Sequence, residues 1–188
     1  EEEFKTIETW LAQGSPVAPA AATPRAVQQE IAKWERFFNG ESNKVRLMAR
    51  YVYEHLFNGH LYFDQIDPGM NFVLVRSRTS PGQPIDLIPT VRPYDDPGVS
   101  RVYYRLQRYD RTIVDKTHLT YALNDKRLAR LKQLFLDPDY AVPSLPGYDS
   151  KLSANPFKTF VAIPPRSRYQ FMLDDAQFIV GGFAKGSV

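Results

Sequence analysis

Five prolines between Pro81 and Pro97 constrain this chain more than any other feature. They separate two strand-like runs, Phe72–Arg78 and Arg101–Arg108. Proline fixes φ and donates no backbone hydrogen bond, so the crossing can be neither helix nor central strand. It is expected to form an ordered loop against a sheet, carrying Arg92, Tyr94, Asp95 and Asp96. In the second run Val102, Tyr104 and Leu106 alternate with Arg101, Tyr103 and Arg105, the period of a sheet with one buried face. The first three are expected to point inward. A loop held this firmly can present polar groups for function, or can be purely structural.

Around that centre the sequence places helices. Phe4, Ile7, Trp10 and Leu11 share a helical face before Gly14, and residues 15–25, small and proline-rich, read as a linker. Thr23 is a candidate N-cap ahead of Pro24, opening a helix with Val27, Ile31, Trp34 and Phe38 as its stripe. Ser42 opens a second, with Val45, Met48, Val52 and Leu56. The paired endings FFNG and LFNG suggest a helical hairpin. His60–Phe63 reads as a short strand and Asp67-Pro68-Gly69 as a turn. Asn124 caps a helix through Leu128, Leu131 and Phe135, and Asn155-Pro156 opens a helical turn. Pro164-Pro165 begins a last helix, its expected core stripe Tyr169, Met172, Leu173, Ala176 and Ile179, its expected stop Gly181-Gly182. Helices before and after an antiparallel sheet define an α+β fold.

The 188 residues suit an ordinary domain with a sizeable core over 26–188. Hydrophobic residues at 43% and charged ones at 24% exclude a disordered chain. A net charge of +3 is too small to argue for nucleic acid, and the glycine-containing RNA-binding string is missing, though it tolerates an anionic lipid surface. No apolar run reaches the length of a membrane span. With no cysteine, disulfides and thiolate metal sites within the chain are excluded. The phosphate loop, GxGxxG, HExxH and GxSxG signatures are absent.

Few residues remain for chemistry. His55 and His60 sit five apart, off a common helical face, which disfavours a metal pair there. His118, in VDKTHLTYAL, could ligate iron, shuttle protons or simply bond into a loop. Arg76, Arg78 and Arg92 could fork onto a phosphate or carboxylate, or pair with Asp86, Asp95, Asp96, Asp174 or Asp175. Asp174 and Asp175, adjacent on a helix, should divide into one exposed and one buried carboxylate.

Three strings are more specific than any of these patterns: LVRSRTSPGQPIDLIPTVRPYDDPGVSRVYYRL, TIVDKTHLTYALNDKRLARLKQLFL and ANPFKTFVAIPPRSRYQFMLDDAQF. They resemble the fatty acid cis/trans isomerase family of Gram-negative bacteria, over roughly residues 45 to 180. The resemblance implies a periplasmic enzyme of the c-type haem class, converting cis double bonds in phospholipid acyl chains to trans. Ferric haem would draw electron density from the double bond and lower its rotational barrier. His118 and Tyr94 become catalytic candidates, and Arg76, Arg78 and Arg92 headgroup candidates. The string ETWLAQGSP, residues 8–16, resembles the end of a cytochrome c-like domain, whose closing helix would then occupy residues 1–14. On that reading the chain is an interior piece of a longer polypeptide, incomplete at its C-terminus, with the haem attachment motif and signal peptide upstream. The alternative is a non-catalytic periplasmic lipid-binding or interaction module. By itself the chain is expected to be colourless and inactive.

Overall fold

The computed structural model describes residues 1–15, 22–111 and 119–184, the side chains of Ser150 and residues 178–184 excepted. The elements run α1 (Glu2–Ala12), α2 (Arg25–Phe38), α3 (Asn43–Leu56), β1 (Gly59–Phe63), β2 (Asp67–Ser77), β3 (Tyr103–Arg108), β4 (Leu119–Ala122), α4 (Asp125–Phe135), α5 (Ser150–Ser153), α6 (Pro156–Thr159) and α7 (Pro165–Ala184). The architecture is α+β, with helices on both sides of the sheet in sequence.

The four strands lie in the order β3-β2-β1-β4. β2 pairs antiparallel with β3, Leu74 facing Leu106 and Arg76 facing Tyr104, and β1 pairs antiparallel with β2. β4 runs parallel to β1, so the sheet is mixed and the expectation of an antiparallel sheet is corrected. Chain direction is forced only where strands join through a tight hairpin. β4 adds at the edge opposite β3, its predecessor in sequence, so no tight hairpin fixes its direction.

The edge strand β3 is closed by the end of α2. Glu35 Oε1 accepts from the Leu106 N–H at 3.0 Å, and Asn39 Oδ1 from the Tyr104 N–H at 2.8 Å. Asn39 also donates to the Tyr104 carbonyl, so a helix end mimics a neighbouring strand and satisfies an edge that would otherwise invite association. Glu35 pairs in turn with Arg105 at 2.9 Å. Arg105 is therefore buried, against the alternation expected of it, while Tyr104 and Leu106 are buried as expected. Its guanidinium also donates to the carbonyls of Ser80 and Gln83, which ties the proline loop to the sheet.

The core lies between this sheet and the helices: Val27, Trp34 and Phe38 of α2, Leu47, Met48 and Val52 of α3, Leu74 and Leu106 of the strands, Phe135 of α4. Ser42 and Asn124 cap α3 and α4 as their side chains predict, and Asn155 caps α6. Three local expectations are corrected. Pro24, not Thr23, is the N-cap of α2, without a side-chain bond. Asp67-Pro68-Gly69 opens β2, while residues 64–66 make the hairpin turn. α7 continues through Gly181-Gly182 to Ala184. The N-terminal helix α1 buries none of its residues, and residues 16–21 of the expected linker lie outside the described ones.

Candidate functional site

Phe171 and Asp175, one turn apart, put the inward face of α7 opposite the apolar stripe expected to be core. Tyr169, Met172 and Leu173 are 57%, 43% and 64% exposed, while Ser167, Phe171 and Asp175 are buried. The inversion has a physical cause in α3 and β4. Asp175 Oδ2 lies 2.7 Å from His55 Nε2 and accepts from the Tyr121 hydroxyl at 2.6 Å, with Arg127 3.6 Å from Oδ1. Three partners make the burial of a carboxylate tolerable. Burial, then the bond to Asp175 and its charge, raises the Tyr121 phenol above its ordinary range. Its neighbour Asp174 is partly exposed and forks onto Arg130 at 2.6 and 3.2 Å. Burial pushes Asp174 up, but its bonds from Arg130 and Gln170 outweigh that and hold it below the usual carboxylate range.

The outward residues of α7 form one wall of a cleft of about 360 Å³. Tyr51, Glu54 and His55 of α3 line it, with Pro93 and Tyr94 of the proline loop, the segment from Ser153 to Phe160, and Arg168, Tyr169 and Met172 of α7. Tyr51 is fixed by Phe160, Phe171 and Phe135, whose ring centroids lie 4.9 to 5.6 Å from its own. The volume equals about a dozen waters at ~30 Å³ each. An apolar cleft with a few fixed polar groups suits a largely hydrocarbon ligand. Burial pushes the Glu54 carboxyl up although Arg50, 2.8 Å away, pulls it down. Arg168 donates to the Ile163 carbonyl, and no carboxylate lies within ion-pair distance of it among the described residues.

The arginine and tyrosine candidates separate. Tyr94 lines the cleft. Arg76 is 1% exposed and turned inward, donating to the Asp95 carbonyl at 2.9 Å and Thr90 Oγ1 at 2.6 Å, beneath the Tyr53 ring. It holds the loop from inside, and its contacts are within the protein. Arg78 is exposed at the start of the loop, paired with Asp86 at 3.1 Å. Arg92 is exposed, its guanidinium 5.9 Å from the Tyr94 ring centre. Arg92 and Tyr94 are thus brought together, Arg76 lies beneath them, and Arg78 stands apart. His118 lies outside the described residues. Sequence reasoning singles out neither Glu54 nor Arg168, and weighs His55 only as half of a metal pair. The signal for all three is the apolar stripe of α7, whose direction periodicity does not give.

Haem does not fit these residues as a covalently attached group. That attachment needs thiols, and the sequence has no cysteine. His55 directs Nε2 at Asp175, and His60 is buried with its ring 4.5 Å from that of Tyr109. No group of three metal-ligating side chains exists among the described residues.

Fold and cleft together define an α+β domain built around an apolar ligand-sized site, with no described helix long and apolar enough to cross a membrane. The family model described as "Fatty acid cis/trans isomerase (CTI)" matches residues 1–188, and the chain belongs to that family. Its role is accordingly that of a fatty acid cis/trans isomerase. No curated protein and no solved structure matches the chain.

Proposed function

We propose that this chain is the acyl-chain-holding part of an isomerase that turns cis double bonds of membrane phospholipids into trans. The observation that carries the reading is the apolar cleft between α3, α6, α7 and the proline loop, in a chain of the isomerase family. Each methylene removed from water contributes about 0.8 kcal/mol, so a dozen methylene-sized places supply ample attraction for one chain segment. Rotation about a double bond displaces the flanking methylenes sideways. The rigid aromatic floor of Tyr51 and Phe160 would hold one side of the bond while the mobile side swings toward the open rim at Tyr169 and Met172.

The haem c that family resemblance implies would be carried outside these residues, and the working location would be the periplasm, next to the lipid. The chain's own part is then to bind the acyl chain, exclude water and orient the double bond. A purified 1–188 chain tests this with vesicles of cis-monounsaturated phosphatidylethanolamine and with haemin. The expected outcome is acyl-chain binding, no stoichiometric Soret band and no trans product in the extracted fatty acids. A Soret band accompanied by turnover would place the catalytic centre inside the chain. Failure to bind cis-unsaturated acyl chains would remove the proposed role of the cleft.

A further inference from the structure

Arg46, Arg50 and Glu54 follow one another at four-residue spacing along α3, so they form one line on a single helix face. Glu54 lines the acyl cleft, whereas Arg46 and Arg50 line a second pocket of about 190 Å³. Arg101 also lines that pocket, and the segments 99–102 and 145–148 complete it. Three guanidiniums on one small pocket need explaining, because like charges repel and their desolvation is costly.

Their internal partners account for only part of that charge. Arg50 pairs with Glu54 through Nε and donates to the Pro146 and Gly147 carbonyls through Nη1, but its buried Nη2 has no acceptor. Arg50 is 5% exposed, and the Tyr148 ring covers it at 3.8 Å from Cζ to ring centre. Arg101 reaches the Asn39 and Gly40 carbonyls and Glu41 Oε1, which is itself on the surface, yet its Nε is also a buried donor without an acceptor. Arg46 has one long contact, 3.5 Å to the Ser100 carbonyl, and no carboxylate within ion-pair distance among the described residues. The pocket thus holds three fixed positive charges against two carboxylates, one of them on the outer surface. Buried N–H donors without acceptors are rare in folded proteins. Those of Arg50 and Arg101 are closed to solvent and leave positive charge under-compensated beside the pocket, while the partly exposed Arg46 is the guanidinium a ligand oxygen reaches.

We infer that the pocket bounded by Arg46, Arg50 and Arg101 binds a phosphate group. Planar guanidinium forks match phosphate oxygens, which suits both mono- and diesters. The phosphate can come from a phospholipid headgroup or from a free phosphate, and the lipid source rests on the acyl-chain reading of the neighbouring cleft. The line Arg46–Arg50–Glu54 spans eight residues, about 12 Å at 1.5 Å per residue, and links the two pockets along one helix. An amphiphile could therefore place its phosphate beside Arg46 and its hydrocarbon beyond Glu54.

The test measures binding to the 188-residue chain of three probes: dihexanoylphosphatidylglycerol as monomer, inorganic phosphate, and oleyl alcohol, which has a chain and no phosphate. The variants are Arg46→Gln and Arg46→Gln/Arg101→Gln, with a circular dichroism melt to verify folding. Arg46→Gln is expected to weaken the phospholipid about tenfold, the loss deepening in the double variant and shrinking in wild type as salt rises, with oleyl alcohol binding unchanged. Phospholipid bound much more tightly than inorganic phosphate assigns the site to a lipid headgroup; equal affinities assign it to free phosphate. Binding of neither phosphate probe, or equal loss of oleyl alcohol in a folded Arg46→Gln, overturns the site. Failure of oleyl alcohol alone to bind defeats the acyl-chain reading and leaves the phosphate site standing.

Discussion

His55 and Asp175 lie 2.7 Å apart although 120 positions separate them in sequence, and this contact locks α7 onto α3. Because Asp175 also takes the Tyr121 hydroxyl, one carboxylate joins two helices and the edge strand β4. Asp175→Ala would leave Tyr121 and Arg127 with a vanished partner inside the protein. The expected cost is about 3–5 kcal/mol, read as a lower urea midpoint with an unchanged slope. Tyr121→Phe, which removes one donor to that carboxylate, should cost less, about 1.5–3 kcal/mol. A midpoint for Asp175→Ala within error of wild type would show that the network holds nothing.

The buried tyrosines give the protein an alkaline limit. Burial raises the phenols of Tyr51, Tyr53, Tyr104 and Tyr121, and that of Tyr140 to about 12. In the unfolded chain a tyrosine titrates at about 10, so above that pH the folded state retains protons that the unfolded state has lost. Their stabilising contribution is complete below pH ~10 and is lost as pH climbs through the folded values. Urea midpoints at pH 9, 10.5 and 11.5 should fall in order, and the tyrosinate absorbance of these five among the eleven tyrosines should appear only together with loss of helical ellipticity. Ionisation of all eleven in a protein still folded would contradict the burial.

Asp174 acts on the acid side with the opposite sign. Its folded value is depressed, so its pairing with Arg130 contributes above pH ~4 and disappears as the carboxyl is protonated below it. The pair is partly exposed, hence worth about 0.5–1 kcal/mol. Asp174→Asn should lower stability by that amount at pH 7 and by almost nothing at pH 2.5. An equal loss at both values would mean the residue acts through packing.

The sequence showed these two aspartates as a divided pair and could not say which way α7 faces. A hydrophobic stripe is normally inward because burying apolar surface outweighs most polar contacts, and on α2, α3 and α4 that rule identifies the core. On α7 it fails because Asp175 meets a histidine, a tyrosine and an arginine from elements far away in sequence. Likewise the alternation in β3 was legible at Tyr104 and Leu106 but not at Arg105, whose partner Glu35 lies on α2. The proline loop was legible because proline acts locally, whereas the inward turn of Arg76 depends on where Asp95 and Thr90 lie in space. The mixed sheet was illegible for the same reason: strand direction at an edge is a property of the whole chain path.

Glu35 and Arg105 give a direct measure of that long-range pairing. Both are buried, at 3% and 6% exposure, so removing one leaves the other charged and without its ion partner. Arg105→Met is expected to destabilise by about 3–5 kcal/mol. Glu35→Gln keeps an acceptor for the Leu106 N–H and should cost less. The Glu35→Gln/Arg105→Met double variant should recover part of the loss, because no uncompensated charge remains. Strict additivity of the two single changes would show that the side chains do not act as a pair.

The outward stripe of α7 supplies the sharpest separation between binding and folding. Tyr169 and Met172 line the cleft, whereas Leu173, equally on the surface, does not. All three are exposed enough that replacement by Asp should change stability by no more than about 0.5 kcal/mol. A charge placed in an apolar cleft strongly opposes hydrocarbon, so Tyr169→Asp and Met172→Asp should each weaken binding of the fluorescent polyene cis-parinaric acid at least tenfold. Leu173→Asp should leave that affinity as in wild type. The same order is expected for displacement of the probe by oleoyl lipids. If Leu173→Asp loses as much as Met172→Asp, the hydrocarbon lies along the helix surface rather than inside the cleft, and the assignment of Tyr51, Phe160 and Tyr94 as its walls fails.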